Sequence, residues 1–334
     1  MGFDQGVLVL IGLRVKIDQN AVPFRELVPG FWAWTDQRLD LPKHWREWLG
    51  SLRAEQIENC NFALLSKIFS KTPDILDAEN QLLQLRARGF YVGLLLCSPF
   101  TPSLAPIALT GARRNGEIDV RQQSTFDIPS LNVFRNYPEI RTHEVEQAAH
   151  LARHLETLKT TPPPGGPWRL WRALSVYVVA RSAQRLLDRL HQYCRCIDGL
   201  ILSEPGRGNR QFKSRTELFI GPHHHDLMGR LYAIRGDAEH LHEHKYLETF
   251  DRATRLDLVQ KEAIAEYIAR KALAHIIGTP TLWSYFSNTA ALASFWKLSA
   301  AAQLNLWAAL PINPNDALDG FDPKDLSDND LGSP

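Results

Sequence analysis

A chain of 334 residues, 44% hydrophobic and 10% aromatic, can bury a substantial core and is long enough for two domains. Lysine and arginine number 38 against 37 aspartate and glutamate, which excludes a surface that attracts nucleic acid by overall charge. Any RNA contact must then be local. Cys60, Cys97, Cys194 and Cys196 show no disulfide framework, and Cys194-x-Cys196 lacks a second pair for zinc, so a reducing cytoplasm is expected. The start Met1-Gly2-Phe3-Asp4 carries no basic leader and the apolar run at 7–13 is too short to span a bilayer, so neither secretion nor a membrane partner is expected.

In chain order, the apolar runs at 7–15 and 90–97 are rich in β-branched and aromatic residues and predict strands. Residues 41–49 have the spacing of a short amphipathic helix whose tryptophans, Trp45 and Trp48, belong to a core. Gly111-Ala-Arg-Arg-Asn-Gly116 predicts a turn between two strands. Val145, Ala148, Leu151, Leu155 and Leu158 recur at helical spacing over 143–158, and the Pro/Gly-rich stretch 160–167 follows as a linker.

Residues 168–202 favour helix without an internal proline and are too many for one ordinary helix, so one bent helix or two abutting ones are expected. Further helices are predicted at 210–220, 225–241 and 252–277, stopped by Gly221-Pro222 and Gly278-Thr-Pro280. From Pro311, aspartates at 316, 319, 322, 325, 328 and 330 alternate with Pro, Gly, Asn and Ser, a pattern of disorder that lacks the ligand spacing of a calcium loop. The expected fold class is α+β. A mixed, strand-rich domain at 1–160 that senses or binds is followed by an all-α bundle at 161–310 and an acidic disordered tail at 311–334.

The chemistry concentrates in Leu231-Tyr-Ala-Ile-Arg235-Gly-Asp-Ala-Glu-His240-Leu-His-Glu-His244. Five helical steps rotate by about 140° net, so Arg235 and His240 do not share a face of one straight helix. Either the helix ends near Gly236, or another chain completes the site. A plainer reading pairs Arg235 with Glu239 at i, i+4 on a solvated face.

The stretch Leu-Tyr-Ala-Ile-Arg235-x4-His240 resembles the Arg-x(4–6)-His signature of HEPN domains, in particular the bacterial branch with Leu-Tyr-x-x-Arg before the histidine. Upstream, Cys196-Ile-Asp198-Gly-Leu-Ile-Leu202 and Phe212-Lys-Ser-Arg215-Thr-Glu-Leu-Phe219 resemble the family's acidic helix and its arginine flanked by hydrophobes, with Asp198 where glutamate is expected. The resemblance covers roughly residues 168–278. It implies a helical fold, metal-independent endoribonuclease activity with no cofactor, RNA as substrate, and a homodimer whose two motifs meet in one cleft. It implies catalytic roles for Arg235 and His240, with Asp198 positioning Arg235 and Arg215 either holding that polar cluster or meeting the RNA backbone. By analogy the setting is phage defence or a toxin-like stress response, with a trigger or antitoxin that the sequence does not name.

Metal-free RNA cleavage needs little: an imidazole to move protons to and from the 2′-hydroxyl and leaving oxygen, and a guanidinium to hold charge on phosphorus. Gly236 stands where active members often carry a polar side chain, and Asp237 is the substitute. The loop at 204–210 offers Arg207 and Arg210 to RNA phosphates.

Two alternatives stand beside this reading. One is a non-catalytic HEPN module that binds RNA, nucleotide or a partner protein. The other is a metal-dependent hydrolase, since six of the 12 histidines lie between His223 and His244, although His-Glu-x-x-His and a cysteine pair are missing. No Gly-x-Ser-x-Gly elbow supports a serine hydrolase.

Overall fold

The computed structural model describes residues 6–13, 25–35, 41–70, 77–102, 104–114, 117–131, 133, 139–160, 167–240 and 251–331. Its architecture is α+β, and the chain divides into two compact units, Met1–Pro129 with Tyr137–Thr157 and Ser130–Asn136 with Leu158–Pro334.

The first unit is built on one antiparallel sheet. β1 (Gly6–Leu13), β2 (Arg25–Val28), β3 (Phe31–Thr35), β4 (Phe62–Phe69), β5 (Ile107–Arg114) and β6 (Glu117–Thr125) lie in the order β2-β3-β4-β1-β5-β6. Inner strand β4 is buried on both faces, so its residues are apolar almost without alternation. Ala63 and Leu65 face a cluster with Trp45, Ala54 and Ile57 from helices α1 (Lys43–Leu49) and α2 (Ser51–Glu58). Phe31, opposite Ser66 and so on the other face, meets Phe90 of α3 (Asp77–Cys97) edge-on at 5.6 Å.

Two expectations are corrected in this unit and a third in part. The run at 90–97 is the end of helix α3, not a strand. Leu83, Ala87, Phe90, Tyr91, Leu94 and Leu95 are buried at helical intervals, but residues 90–97 are covered all round, which erases the polar side that would reveal the period. Glycines permit that covering: a Cβ on Gly93 would lie 2.5 Å from the Ala148 carbonyl oxygen of α4 (Thr142–Thr160), so Gly93 lets the two backbones meet. On α1, Trp45 is core, whereas Trp48 is 53% exposed, because seven residues ending at Gly50 present one face carrying Trp45 and Leu49. Finally, the two strands expected on either side of 111–116 are present as the antiparallel pair β5 and β6, but Gly111–Arg114 belongs to β5, and Asn115 and Gly116 lie outside the described residues.

The regular elements of the second unit are helical: α5 (Trp168–Ser182), α6 (Leu186–Ile201), α7 (Gly208–Ile220), α8 (His225–Glu239), α9 (Arg252–Gly278), α10 (Thr289–Trp296) and α11 (Ala300–Trp307). The stretch 168–202 is thus two helices. The break at 183–185 is stabilised by Arg189, which donates to the Ala183 and Gln184 carbonyls at 3.0 and 2.8 Å. α6 places Leu190, Tyr193, Cys194, Ile197, Leu200 and Ile201 on its inner face at intervals of three and four, and packs on α5, α8 and α9. Among the described residues no helix is long and apolar enough to cross a membrane.

The acidic segment expected to be disordered is folded through residue 331. Ala317, Leu326 and Leu331 are buried, the last two in an apolar cluster with Val259 and Ala263 of α9. The same cluster takes in Leu131 and Val133, which explains why 130–136 joins this unit. The aspartates that suggested repulsion act locally: Asp322 caps a short turn by accepting from the Lys324 amide, and Asp328 pairs with Arg252. Composition registered the charges but not the spaced apolar anchors between them.

Candidate functional site

Helices α6 and α8 carry the residues singled out for chemistry. A step of seven residues places His191 and Asp198 on one side of α6, and Tyr232, Arg235 and Glu239 share a side of α8. The helices lie close enough for the Cys194 thiol to reach the Leu231 carbonyl at 3.7 Å. Across this seam, the Arg235 guanidinium lies 3.2 Å from Asp198 Oδ2 and 3.3 Å from Glu239 Oε2, above the Tyr232 ring. Both readings of Arg235, as partner of Asp198 and as i, i+4 partner of Glu239, therefore describe real contacts.

The cluster is half-buried: the side chains of Arg235 and Asp198 are 17% and 21% exposed. Asp198 Oδ1, Arg235 Nε and His191 Nε2 are buried atoms with no hydrogen-bond partner among the described residues. His191 Nε2 is 3.9 Å from Glu239 Oε2. Burial holds the His191 imidazole below its ordinary range, against the pull of Glu239. His191 was not singled out from the sequence, and only its seven-residue step from Asp198 could have flagged it.

α8 does not end at Gly236. It runs to Glu239, and the His240 amide closes the last turn on the Gly236 carbonyl at 3.0 Å. His240 is thus the exposed C-cap residue, five helical steps or about 140° round the axis from Arg235. Asp237 is half-buried beside Gly236, and it and His240 each make further contacts.

Arg215 does not hold the Asp198–Arg235 cluster. The last carbonyls of α6 lack intrahelical partners and carry the negative end of its dipole, so they recruit donors. Arg169 Nη1 donates to the Gly199 carbonyl at 2.7 Å, Trp296 Nε1 to Leu200 at 3.2 Å, and Arg215 Nη1 to Ile201 at 2.8 Å and also to Leu202. Arg215 is the cap of α6 and stacks over Trp296. Arg207, at the start of α7, lies 3.5 Å from Glu204. With Arg210 in the first turn of α7, Arg207 and Arg215 line one groove between α7, α10 and α11.

A second charged set went unnoticed in the sequence. Tyr177 and Arg181 of α5 and Arg270 of α9 all donate to Glu266, at 2.8, 3.2 and 3.0 Å, while Arg189 of α6 pairs with Glu262. These groups are almost wholly buried, so no substrate reaches them and they brace α5, α6 and α9. Burial and the nearby Glu266 push the Tyr177 hydroxyl up, keeping it a donor. The available signal was Glu262, Glu266 and Arg270 at four-residue steps on an apolar helix.

The other chemistries find less. Burial pushes the Cys194 thiol up to about 12, and a thiol so protonated is a poor nucleophile. His225 contacts Glu217, and among the described residues no three His, Cys, Asp or Glu side chains gather as a metal site. His242 and His244 lie outside the described residues. No protein-family model matches the chain, and neither the curated proteins nor the solved structures contain a match to it.

Proposed function

We propose that this chain is a metal-independent endoribonuclease of HEPN type, acting as a homodimer, with Arg235 and His240 as the catalytic pair. One observation carries the reading: Arg235, in the segment that resembles the HEPN signature, is held by Asp198 from the upstream helix the resemblance designates. A guanidinium fixed on one side by two carboxylates keeps donors for a phosphate without a search through rotamers. His240, at the exposed end of the same helix, carries an imidazole, the side chain that proton transfer most often uses.

Because α8 continues past Gly236, the pair is completed across a two-fold axis, Arg235 of one protomer facing His240 of its partner. In the cleavage step the 2′-oxygen bonds to phosphorus as its proton leaves to a base, and the bond to the 5′-oxygen breaks as that oxygen gains a proton. Arg235 holds the charge that accumulates on the non-bridging oxygens. The first unit binds the trigger or antitoxin, and the setting is cytoplasmic phage defence or a toxin-like stress response.

The test is RNA cleavage in EDTA by wild type, Arg235→Ala and His240→Ala, then by the two variants unfolded, mixed and refolded together. Each variant alone is expected to be inactive, and the mixture to recover part of the activity, because one composite site in each mixed dimer is intact. Cleavage by both variants at the wild-type rate overturns the site. Inactive variants with no recovery on mixing overturn the cross-protomer arrangement. A folded dimer that binds RNA without cutting it supports the non-catalytic binding module instead.

A further inference from the structure

The groove between α7, α10 and α11 has a volume of about 890 Å³ and walls of two kinds. One rim is cationic, formed by Arg207, Arg210 and Arg215. Arg215 is committed to the carbonyls of α6 and Arg207 leans on Glu204, but Arg210 is exposed and makes no ion pair or hydrogen bond among the described residues. The facing wall is apolar, formed by Trp296, Leu298 and Leu304, with Leu304 50% exposed. Glu217, the carboxylate in this lining, is occupied by His225. Ser214 and Gln211 lie between the walls.

A pocket lined by Trp296, Leu298 and Leu304 together with an uncommitted arginine suits a ligand that is apolar in one part and anionic in another. Single-stranded RNA has that character, because each nucleotide joins a flat, weakly hydrated base to a phosphate. The volume falls in the range of small-ligand pockets, about 300–1,000 Å³, which suits one or two nucleotides and not a duplex. Serine and glutamine side chains between the walls can meet base edges.

We infer that this groove is an RNA-binding subsite distinct from the Asp198–Arg235 cluster, seating phosphate on Arg207 and Arg210 and a base against Leu298, Leu304 and Trp296. The inference takes its ligand from the RNA reading above. The groove sets where the strand lies, and the cluster on α6 and α8 acts on it.

The test is fluorescence anisotropy of a short labelled ribo-oligonucleotide with the full chain in EDTA, comparing wild type with Arg210→Glu, Leu304→Glu and Arg235→Ala. A mononucleotide is titrated in parallel, and thermal melts check folding. Both groove positions are exposed, so the variants should fold. Arg210→Glu is expected to weaken oligonucleotide binding by about tenfold or more and to flatten its salt dependence. Leu304→Glu should weaken it by about threefold to tenfold.

Arg235→Ala should abolish cleavage while weakening oligonucleotide binding less than Arg210→Glu does, so that the two sites are read separately. Unchanged affinity in both groove variants overturns the subsite whatever happens to cleavage. A mononucleotide that binds as tightly as the oligonucleotide overturns the strand assignment. Binding of an acidic peptide in place of RNA overturns the ligand class.

Discussion

Helix α6 contributes to two charged clusters of the same residue types that differ in their access to water. Arg189 meets Glu262 in the interior, where both side chains are at most 1% exposed, as are Arg181 and Glu266 beside them. Asp198 meets Arg235 at the seam with α8, where each is about one-fifth exposed. In the interior every charge depends on another side chain, since water cannot substitute. At the seam the side chains are partly open to water, whereas buried oxygens without a hydrogen-bond partner among the described residues occur in both sets, Asp198 Oδ1 in one and Glu262 Oε2 in the other. Exposure is the difference between them: the interior set joins helices out of reach of any ligand, and the seam set can be reached from solvent.

The sharpest way to break this contrast is Glu266→Ala. It strips Tyr177, Arg181 and Arg270 of a shared acceptor and leaves two guanidiniums in the core, which should cost about 3–5 kcal/mol in urea unfolding. A loss below about 1 kcal/mol would place Glu266 with exposed pairs and dissolve the distinction.

Arg235→Ala comes next, and its signature should be reversed. Removing a pair that is about one-fifth exposed should cost about 1 kcal/mol of stability or less, while cleavage falls by about 100-fold or more, roughly 2.7 kcal/mol in the barrier. The same urea titration and an EDTA cleavage assay measure both. A stability loss matching that of Glu266→Ala would make Arg235 a second brace.

Legibility in the sequence followed exposure as well. α4 declared itself because Val145, Ala148, Leu151, Leu155 and Leu158 alternate with polar residues that face water. The end of α3 did not, since residues 90–97 are enclosed and have no polar side. Asp198 and Arg235 could be nominated from local motifs, and their 3.2 Å contact needed only two helices to pack at a fitting height. His191 and Arg181 escaped because their partners lie 48 and 85 positions away, and Glu266 was marked locally only by Arg270 four positions on. Arg215 was visible as an arginine among hydrophobes, but its work on the Ile201 carbonyl depends on where α6 ends.

A third prediction probes the seam through pH. Burial lowers the folded-state His191 pKa below its ordinary 6.5, so between those two values the unfolded chain binds the extra proton. Stability from this group is therefore full above about pH 6.5 and is lost as pH falls through that value toward the folded pKa. Glu239 opposes the shift, while Arg235 and Arg195 reinforce it and Asp188 opposes it. His275 is lowered in the same direction by burial, against its hydrogen bond to the Trp307 carbonyl. His191→Gln should therefore remove part of the acid limb of a stability–pH curve, and His191→Gln with His275→Gln should remove more. An acid limb unchanged in the double variant would show that neither imidazole is held neutral.

The smallest expected effect contrasts two helical glycines. Gly93 is required by contact, whereas a Cβ on Gly236 meets nothing within 4 Å, and its backbone is outside the left-handed region. Gly236→Ala should stabilise the folded chain by about 0.5–1 kcal/mol through the entropy of the unfolded state and the better helix propensity of alanine. Melts at several protein concentrations check it, because the space beside Gly236 belongs to the face on which the proposed two-fold partner brings its own Arg235 and His240. Greater stability with dimerisation intact would mean the partner leaves that space open. Greater stability of the monomer with weakened dimerisation would mean that the missing side chain admits the partner's backbone, which would give this glycine, beside the arginine, a reason of its own.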